Sequence, residues 1–442
     1  MGHLGAKDLF NGLAKKVDGL HVRAPLNGHL YAILKELFSE AEADIFIRMP
    51  YTFSDIKQIR KATLMEDTKL RNLLEEMCMK GLVIDIESRG VQYFMPCPMV
   101  VGLFEWVMMK RAASGDDVKK LAGLFYHYFE GGDFYKVNTR HGQHVSIGRA
   151  LAHEETLEDE ARTLVLDYDS ADAIIRSAPN ISAGVCSCRH EKDHLGIREC
   201  DTPTDTCLNL GWTADYVIRR GMGKKISTAA ALENIARSKE LGLTITADNV
   251  KRNVTFICQC CGCCCHPLQG ISRFGCANTI VTSNYMAASD AATCTGCGLC
   301  AKACPIHAVA LVEAVGTANK NAKIARIDET ICLGCGVCAL KCPTKAMRLR
   351  PREKRVLLPE TTFERIILQC IGLGTLQNQI FDDPTSLTQE FMRGFIGGFL
   401  KLPLKNKALM SAALQSRFFR WGFLKTAKAG MRAKGKAWVT GI

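Results

Sequence analysis

Two short cysteine runs decide the fold of residues 286–346. They read Cys294-Thr-Gly-Cys297-Gly-Leu-Cys300-Ala-Lys-Ala-Cys304-Pro305 and Cys332-Leu-Gly-Cys335-Gly-Val-Cys338-Ala-Leu-Lys-Cys342-Pro343. Both have the spacing C-x2-C-x2-C-x3-C-P. Thiolates at such spacing suit iron–sulfur clusters or zinc. A zinc site needs neither the third cysteine nor the Cys-Pro ending, so the repeat predicts iron–sulfur clusters.

On these residues, segment 286–346 resembles the bacterial-type 2[4Fe-4S] ferredoxin domain. In that family the fourth cysteine of each run crosses to the other cluster. The linker between the runs, including 312–327, resembles the inserted hairpin of ferredoxin domains in larger oxidoreductases. The resemblance implies one cluster on Cys294, Cys297, Cys300 and Cys342, a second on Cys332, Cys335, Cys338 and Cys304, and cofactor-binding roles for Pro305 and Pro343.

A second group of cysteines lies upstream, in residues 166–285, where we predict alternating helices and strands, a helix at about 207–220, and cysteines in the loops. Adjacent cysteines point in different directions, so one short loop cannot aim all its thiolates at one cluster, and we expect a subset to bind. We predict one or two further iron–sulfur clusters, with Arg189 donating a hydrogen bond to a cluster sulfur. The candidate ligands are Cys186, Cys188, Cys200, Cys207, Cys258, Cys260, Cys261, Cys263 and Cys264; Cys265 and Cys276 complete the group.

Alternatives for these upstream cysteines are zinc, a redox dithiol or buried structural thiols. A mixed Cys/His zinc site is a further alternative, with candidate ligands His190, His194 and His266. The region 182–285 resembles uncharacterised iron–sulfur proteins of strict anaerobes, which share a CxCR…C…C segment followed by ICxCCxCC. That resemblance implies that the upstream cysteines act as one functional unit.

Residues 26–100 are predicted to form three helices and a β-hairpin. The helices cover 30–37, then 55–61 with Ser54 as its cap, and then a segment that ends at Gly81; the strands are 82–87 and 91–95. This order resembles a winged-helix domain. Nine basic and eleven acidic side chains give the segment a net charge of −2. Because DNA affinity depends on neutralising phosphates, we expect protein docking rather than nucleic-acid binding.

The composition limits the class of protein. The chain has 442 residues, of which 47% are hydrophobic and 22 are cysteine. No signal peptide and no run of 18 apolar residues is visible. We therefore expect a cytoplasmic protein of an anaerobic host, with thiolates kept for metal. No G-x-G-x-x-G follows a strand, so we predict no flavin or nicotinamide site.

The net charge of +12 belongs largely to the C-terminal end. Residues 391–442 hold eleven Lys or Arg and no Asp or Glu, whereas the preceding residues net only +1. An apolar stripe on 391–400 and the aromatic residues of 418–424 lie among these basic residues. Such helices pack on the protein itself, dock an acidic partner or lie peripherally on the inner membrane surface.

The predicted fold class is α+β multidomain. Its segments are a lead-in (1–25), a winged-helix-like domain (26–100), a helical connector (101–165), a small Cys-rich α/β domain (166–285), a ferredoxin-like 2[4Fe-4S] domain (286–350) and a helical basic C-terminal tail (351–442). The predicted function is low-potential electron relay within an anaerobic oxidoreductase, with a flavoprotein or iron–sulfur enzyme as partner. The alternatives are substrate chemistry at an upstream cluster and redox-sensing DNA regulation.

Overall fold

The computed structural model describes residues 6–114, 118–139, 145–162, 165–314, 323–356, 358–383 and 385–400, with positions 425, 428, 429 and 431. The predicted aromatic segment 418–424 lies outside these residues. The chain forms two compact units. The first comprises Met1–Gln143, Arg219–Met222 and Thr361–Ile442, and the second comprises His144–Ile218 and Gly223–Glu360.

The first unit begins with five helices and a three-stranded antiparallel sheet of order β1-β3-β2. A capping box between Ser39 and Glu42 starts the third helix, and Gly81 ends the fifth with φ of 81°. The elements are α1 (Ala6–Asp18), α2 (Gly28–Leu37), α3 (Glu40–Arg48), β1 (Ser54–Asp55), α4 (Ile56–Thr63), α5 (Asp67–Lys80), β2 (Val83–Ser88) and β3 (Val91–Pro96).

The predicted helices and hairpin of residues 26–100 are therefore present, with one shift. The cap of α4 is Asp55, whose side chain accepts from the backbone of Gln58, so this helix starts one residue later than predicted. Ser54 is instead buried and bonds to the Thr52 carbonyl. Helices α1 and α3 were not predicted.

Helices supply the rest of the first unit. They surround an aromatic core in which the ring of Phe104 lies 5.1 Å from that of Phe125. Cys370, an isolated cysteine, is buried here and has no exposed surface. The helices are α6 (Phe104–Ser114), α7 (Lys119–Glu130), α8 (Asp133–Asn138), α17 (Thr362–Leu373), α18 (Leu376–Ile380) and α19 (Leu387–Leu400). Within the described residues, no helix has both the length and the apolar character needed to cross a membrane.

A seven-stranded sheet organises the second unit, in the order β10-β4-β8-β9-β6-β5-β7. Neighbouring strands are antiparallel except for the β10–β4 pair. The strands are β4 (Gly148–Ala150), β5 (Ile181–Gly184), β6 (Cys207–Leu210), β7 (Gly223–Lys225), β8 (Thr244–Asp248), β9 (Phe256–Cys260) and β10 (Ile280–Val281). The helices are α9 (Asp159–Arg162), α10 (Ala171–Ser177), α11 (Ser187–Leu195), α12 (Trp212–Arg219), α13 (Thr228–Leu241) and α14 (His266–Ser272).

This sheet corrects the expectation that all the upstream cysteines lie in loops. Residues 207–220 were expected to be helical, but 207–210 form β6, and the helix begins only at Trp212. Cys207 therefore lies on a strand, as do Cys258 and Cys260 of β9. The short apolar run after Cys207 suits a buried strand as well as a helix, and the neighbouring strands decide between them.

Residues 285–351 complete the second unit with two antiparallel strand pairs and two short helices. The hairpin of β12 and β13 occupies the linker, as the resemblance to inserted-hairpin ferredoxins predicts. The elements are β11 (Tyr285–Ser289), α15 (Leu299–Ala303), β12 (Val309–Glu313), β13 (Lys323–Ile327), α16 (Val337–Leu340) and β14 (Met347–Pro351).

Candidate metal centres

The two cysteine runs have the same backbone conformation. In the first, Gly296 and Gly298 have φ of 65° and 78°; in the second, Gly334 and Gly336 have φ of 66° and 88°. A side chain at Gly334 would also collide with the carbonyl oxygen of Tyr285. Glycine is the residue that tolerates both constraints, and it lets the chain wrap the cysteines around a common centre.

The first centre is formed by four cysteines that we call the outer set. They line one cavity. The backbone N–H of Met347 donates to Sγ of Cys342 at 3.4 Å. Cys297 is exposed, so this centre reaches the protein surface. The outer set is Cys294, Cys297, Cys300 and Cys342.

The second centre, which we call the inner set, is more deeply buried. All four of its cysteines are buried, and Pro305 lines the same cavity. The backbone N–H of Ala308 donates to Sγ of Cys304 at 3.2 Å, and the Thr244 hydroxyl donates to Sγ of Cys335 at 3.9 Å. Burial raises the pKa of the Cys335 thiol to about 12. The inner set is Cys304, Cys332, Cys335 and Cys338.

The structure thus brings together the two groups of four cysteines that the ferredoxin resemblance implies, including the exchange of Cys304 and Cys342 between runs. Pro305 lines the inner cavity, whereas Pro343 follows Cys342 without lining the outer one. Four soft thiol donors for each centre, with backbone N–H groups directed at their sulfurs, fit a [4Fe–4S] cluster in each cavity.

A third centre lies at the start of β6 and the end of β9, and we call its cysteines the six-thiol set. Residues two apart on a strand share a face, so Cys258 and Cys260 point the same way. Extending the pairing of β6 with β9 by one residue places Cys207 beside Cys258. Side-chain contacts then run from Cys260 to Cys265, from Cys265 to Cys188 and from Cys188 to Cys186. The six-thiol set is Cys186, Cys188, Cys207, Cys258, Cys260 and Cys265.

Cys265 was not among the predicted ligands. It precedes α14 at the helix N-terminus, and its thiol contacts both Cys188 and Cys260. Three consecutive cysteines give no signal as to which of them turns inward, so sequence reasoning had no means to select it. Cys276, whose Sγ lies 3.6 Å from the Phe274 carbonyl oxygen, belongs to neither upstream group.

The remaining predicted ligands form a separate four-thiol set. Sγ of Cys200 lies 3.6 Å from that of Cys261 and 4.0 Å from that of Cys264. Sγ of Cys263 lies 3.6 Å from that of Cys264. All four sulfurs lie within 4.8 Å of one another. The structure therefore divides the predicted upstream unit into two groups of thiols.

Arg189 lies between the two upstream sets. Its side chain is 0% exposed, contacts Cys261 and donates to the Gln259 carbonyl oxygen at 2.7 Å. Burial alone lowers the pKa of this guanidinium, but the thiolates of Cys186 and Cys261 outweigh burial and raise the pKa. Arg189 thus contacts a thiol of the four-thiol set, and its predicted hydrogen bond to a cluster sulfur stays a prediction.

The three nearby histidines are placed outside the four-thiol set. His266 Nε2 lies 2.7 Å from a carboxylate oxygen of the buried Glu191. The rings of His190 and His194 pack edge to face, with centroids 4.5 Å apart. The close group of ligand atoms contains cysteine alone, so the structure gives no support to a mixed Cys/His zinc site there.

Comparison with known proteins bears on the paired runs. A family described as the 4Fe-4S dicluster domain matches residues 293–346. Residues 293–346 are a 4Fe-4S dicluster domain. Neither a curated protein nor a solved structure matches the chain. The dicluster domain, set within a larger cysteine-rich α/β chain, makes this an iron–sulfur protein with multiple [4Fe–4S] clusters and a role in electron transfer.

Proposed function

We propose that the chain relays single electrons between the dicluster domain and a third [4Fe–4S] cluster bound by four of the six thiols, as the relay component of an anaerobic oxidoreductase. When bound, such clusters supply one-electron transfer. The dicluster cysteines hold two of them, and the protein around the inner set excludes water. The contact between the inner set and the strands that carry the six-thiol set is the observation that carries this proposal.

That contact is made by β8 and β9. Thr244 donates to Cys335 of the inner set, and across the strand pair it faces Cys260 of the six-thiol set. Thr246, on the same face of β8, lies 3.6 Å from Sγ of Cys260. One strand therefore contacts a sulfur from each of the two sets.

A second backbone approach brings the turn between Cys261 and Cys263 of the four-thiol set against the inner set. A Cβ built on Gly262 would lie 2.7 Å from the Pro305 carbonyl oxygen and 3.1 Å from its Cα. The turn after β9 thus packs directly on the residue that follows Cys304. The Thr244 contacts with Cys335 and Cys260 support the order outer set, inner set, six-thiol set.

The exposed end of this order is Cys297, and Leu299 beside it is 47% exposed. A redox protein, either a flavoprotein or an iron–sulfur enzyme, would exchange electrons at this surface. The chemistry on substrate would then belong to that partner.

For residues 26–100 we infer a winged-helix-like docking module rather than a DNA reader. Two of the three basic residues on α5 are already paired: Arg71 with Asp67 at 2.7 Å, and Lys80 with Glu42 at 2.8 Å. Paired cations release fewer counterions from DNA, which weakens binding. We expect no salt-dependent retention of the purified chain on random-sequence duplex DNA; strong retention at low salt would favour the regulator alternative.

Docking of the basic C-terminal end to an acidic partner or to the inner membrane surface stays a prediction.

Iron and sulfide content tests the relay. Purified anaerobically, the chain is expected to hold about twelve irons and as many sulfides in clusters, against about eight if only the dicluster domain binds them. Cys188→Ser should reduce the total by about four irons and remove one EPR signal of the reduced protein. Cys276→Ser is the matched control, because its thiol lies outside both upstream sets, and it should leave the content unchanged. A wild-type value near eight would overturn the third cluster.

A further inference from the structure

The four-thiol set is packed far more closely than a cluster site requires. The sulfur atoms lie 3.6 Å apart in Cys200–Cys261, 3.6 Å apart in Cys263–Cys264 and 4.0 Å apart in Cys200–Cys264. In the described part of the chain, no other group of three or more Cys, His, Asp or Glu ligand atoms lies within 4.8 Å of one another. The cysteines of the outer and inner sets, by contrast, line cavities and form no such close group.

This spacing matches a single ion. With metal–sulfur bonds of about 2.3 Å and tetrahedral angles, neighbouring thiolates lie about 3.8 Å apart. Four thiolates that each bind a different iron of a cube must lie further apart, because the whole cluster separates them. The distances from Cys200 to Cys261 and Cys264 bracket the single-ion value.

We propose that Cys200, Cys261, Cys263 and Cys264 bind one tetrahedral metal ion, zinc or iron, and hold no iron–sulfur cube. A tetrahedral site of four sulfurs is typical of these metals. The site goes beyond the proposed relay, which depends on the six-thiol set.

Charge compensation supports the assignment. Four thiolates around a divalent ion carry two net negative charges. The guanidinium of Arg189 contacts Cys261, and that of Arg198 contacts Cys200. Arg189 offsets one of these charges and Arg198, which also pairs with Asp193 at 2.7 Å, offsets part of the other, so the cost of burying the site is reduced.

The backbone holds the cysteine turn in place. The N–H of Cys265 donates to the Cys261 carbonyl oxygen at 3.2 Å, and the Gln269 side chain donates to that of Cys263 at 2.6 Å. Cys200 comes from a distant segment, so an ion at this site would cross-link residues near 200 to the turn after β9. Four protein ligands leave no open position, which is typical of a structural ion.

Metal analysis of the whole chain tests the proposal. Protein expressed with both zinc and iron available is purified anaerobically, and zinc, iron and sulfide are counted in the wild type, in Cys200→Ser and in the control Cys276→Ser. We expect Cys200→Ser to lose about one ion, zinc or iron, with sulfide unchanged. Loss of one zinc identifies zinc, and loss of one iron identifies a mononuclear iron site.

If Cys200→Ser loses about four irons together with four sulfides, or loses no metal, the proposed single-ion site is overturned. If Cys200→Ser fails to fold, X-ray absorption at the zinc edge of the wild type replaces it. Zinc with four sulfur neighbours at about 2.3 Å supports the site. The absence of such zinc, together with the absence of mononuclear iron, refutes the site. The relay is judged separately, by the response to Cys188→Ser.

Discussion

The Thr244 hydroxyl lies 3.9 Å from Sγ of Cys335 and donates a hydrogen bond to it. Thr244 is fully buried on β8, so no bulk water can replace this donor. Hydrogen bonds to cluster sulfurs stabilise the reduced, more negative state and raise the reduction potential.

Thr244→Val removes that donor while keeping the shape of the side chain. We expect the potential of the inner cluster to fall by on the order of 20 to 60 mV, since one hydrogen bond contributes about 0.5 to 1.5 kcal/mol and a tenfold change in a one-electron equilibrium is about 59 mV. Anaerobic redox titration followed by EPR measures the shift. Thr246→Val is the matched comparison, because Thr246 contacts Cys260 instead. Equal potentials in wild type and Thr244→Val would contradict the assignment.

Exposure distinguishes the two dicluster centres. Cys297 of the outer set is exposed, whereas every cysteine of the inner set is buried. Oxidants reach exposed sulfur first, so the outer cluster should decay first when the protein meets air. EPR spectra of samples re-reduced after timed exposure to air should show this order, with the signals assigned by the Thr244→Val shift. Loss of the inner signal first would mean that access does not control decay.

Gly262→Ala tests the packing between the cysteine turn and Pro305. The new Cβ would lie 2.7 Å from a backbone oxygen, which cannot move cheaply. Overpacking of this kind costs about 1 to 3 kcal/mol. Anaerobic urea unfolding followed by cluster absorbance should show a lower midpoint. Gly28→Ala, where no neighbouring atom lies within 4 Å, should not lower the midpoint; a midpoint for Gly262→Ala that is no lower than that of the wild type would mean that the contact is not tight.

His21 of the first unit gives a pH dependence that involves no metal ligand. Burial, followed by the charge of Arg365, lowers its pKa to about 3. Because the unfolded chain takes up the proton near pH 6.5, stability should fall as the pH decreases from about 6.5 towards 3, by up to about 1.4 kcal/mol for each pH unit.

Urea unfolding followed by far-UV circular dichroism between pH 7 and 5 measures this slope. His21→Leu cannot bind a proton, so the share of the slope due to His21 should disappear in this variant. The same slope in both proteins would show that His21 is accessible to protons in the folded state.

The sequence by itself determined the dicluster domain. The repeated spacing of Cys294–Cys304 and Cys332–Cys342 is local, and glycines at matching positions of both runs allow the wrapping turns. The helices and hairpin of residues 26–100 were also predictable, because capping residues and alternating strands act over a few residues.

Only the tertiary structure decided how the upstream cysteines divide. Cys207 meets Cys258 because β6 and β9 are neighbours in one sheet, and Cys200 meets Cys261 across a long stretch of chain. Neither pairing has a local signal, since strand order and register depend on which faces are buried together. The same long-range packing places Thr244 between two sets of thiols, and it determines the order of the metal centres in space.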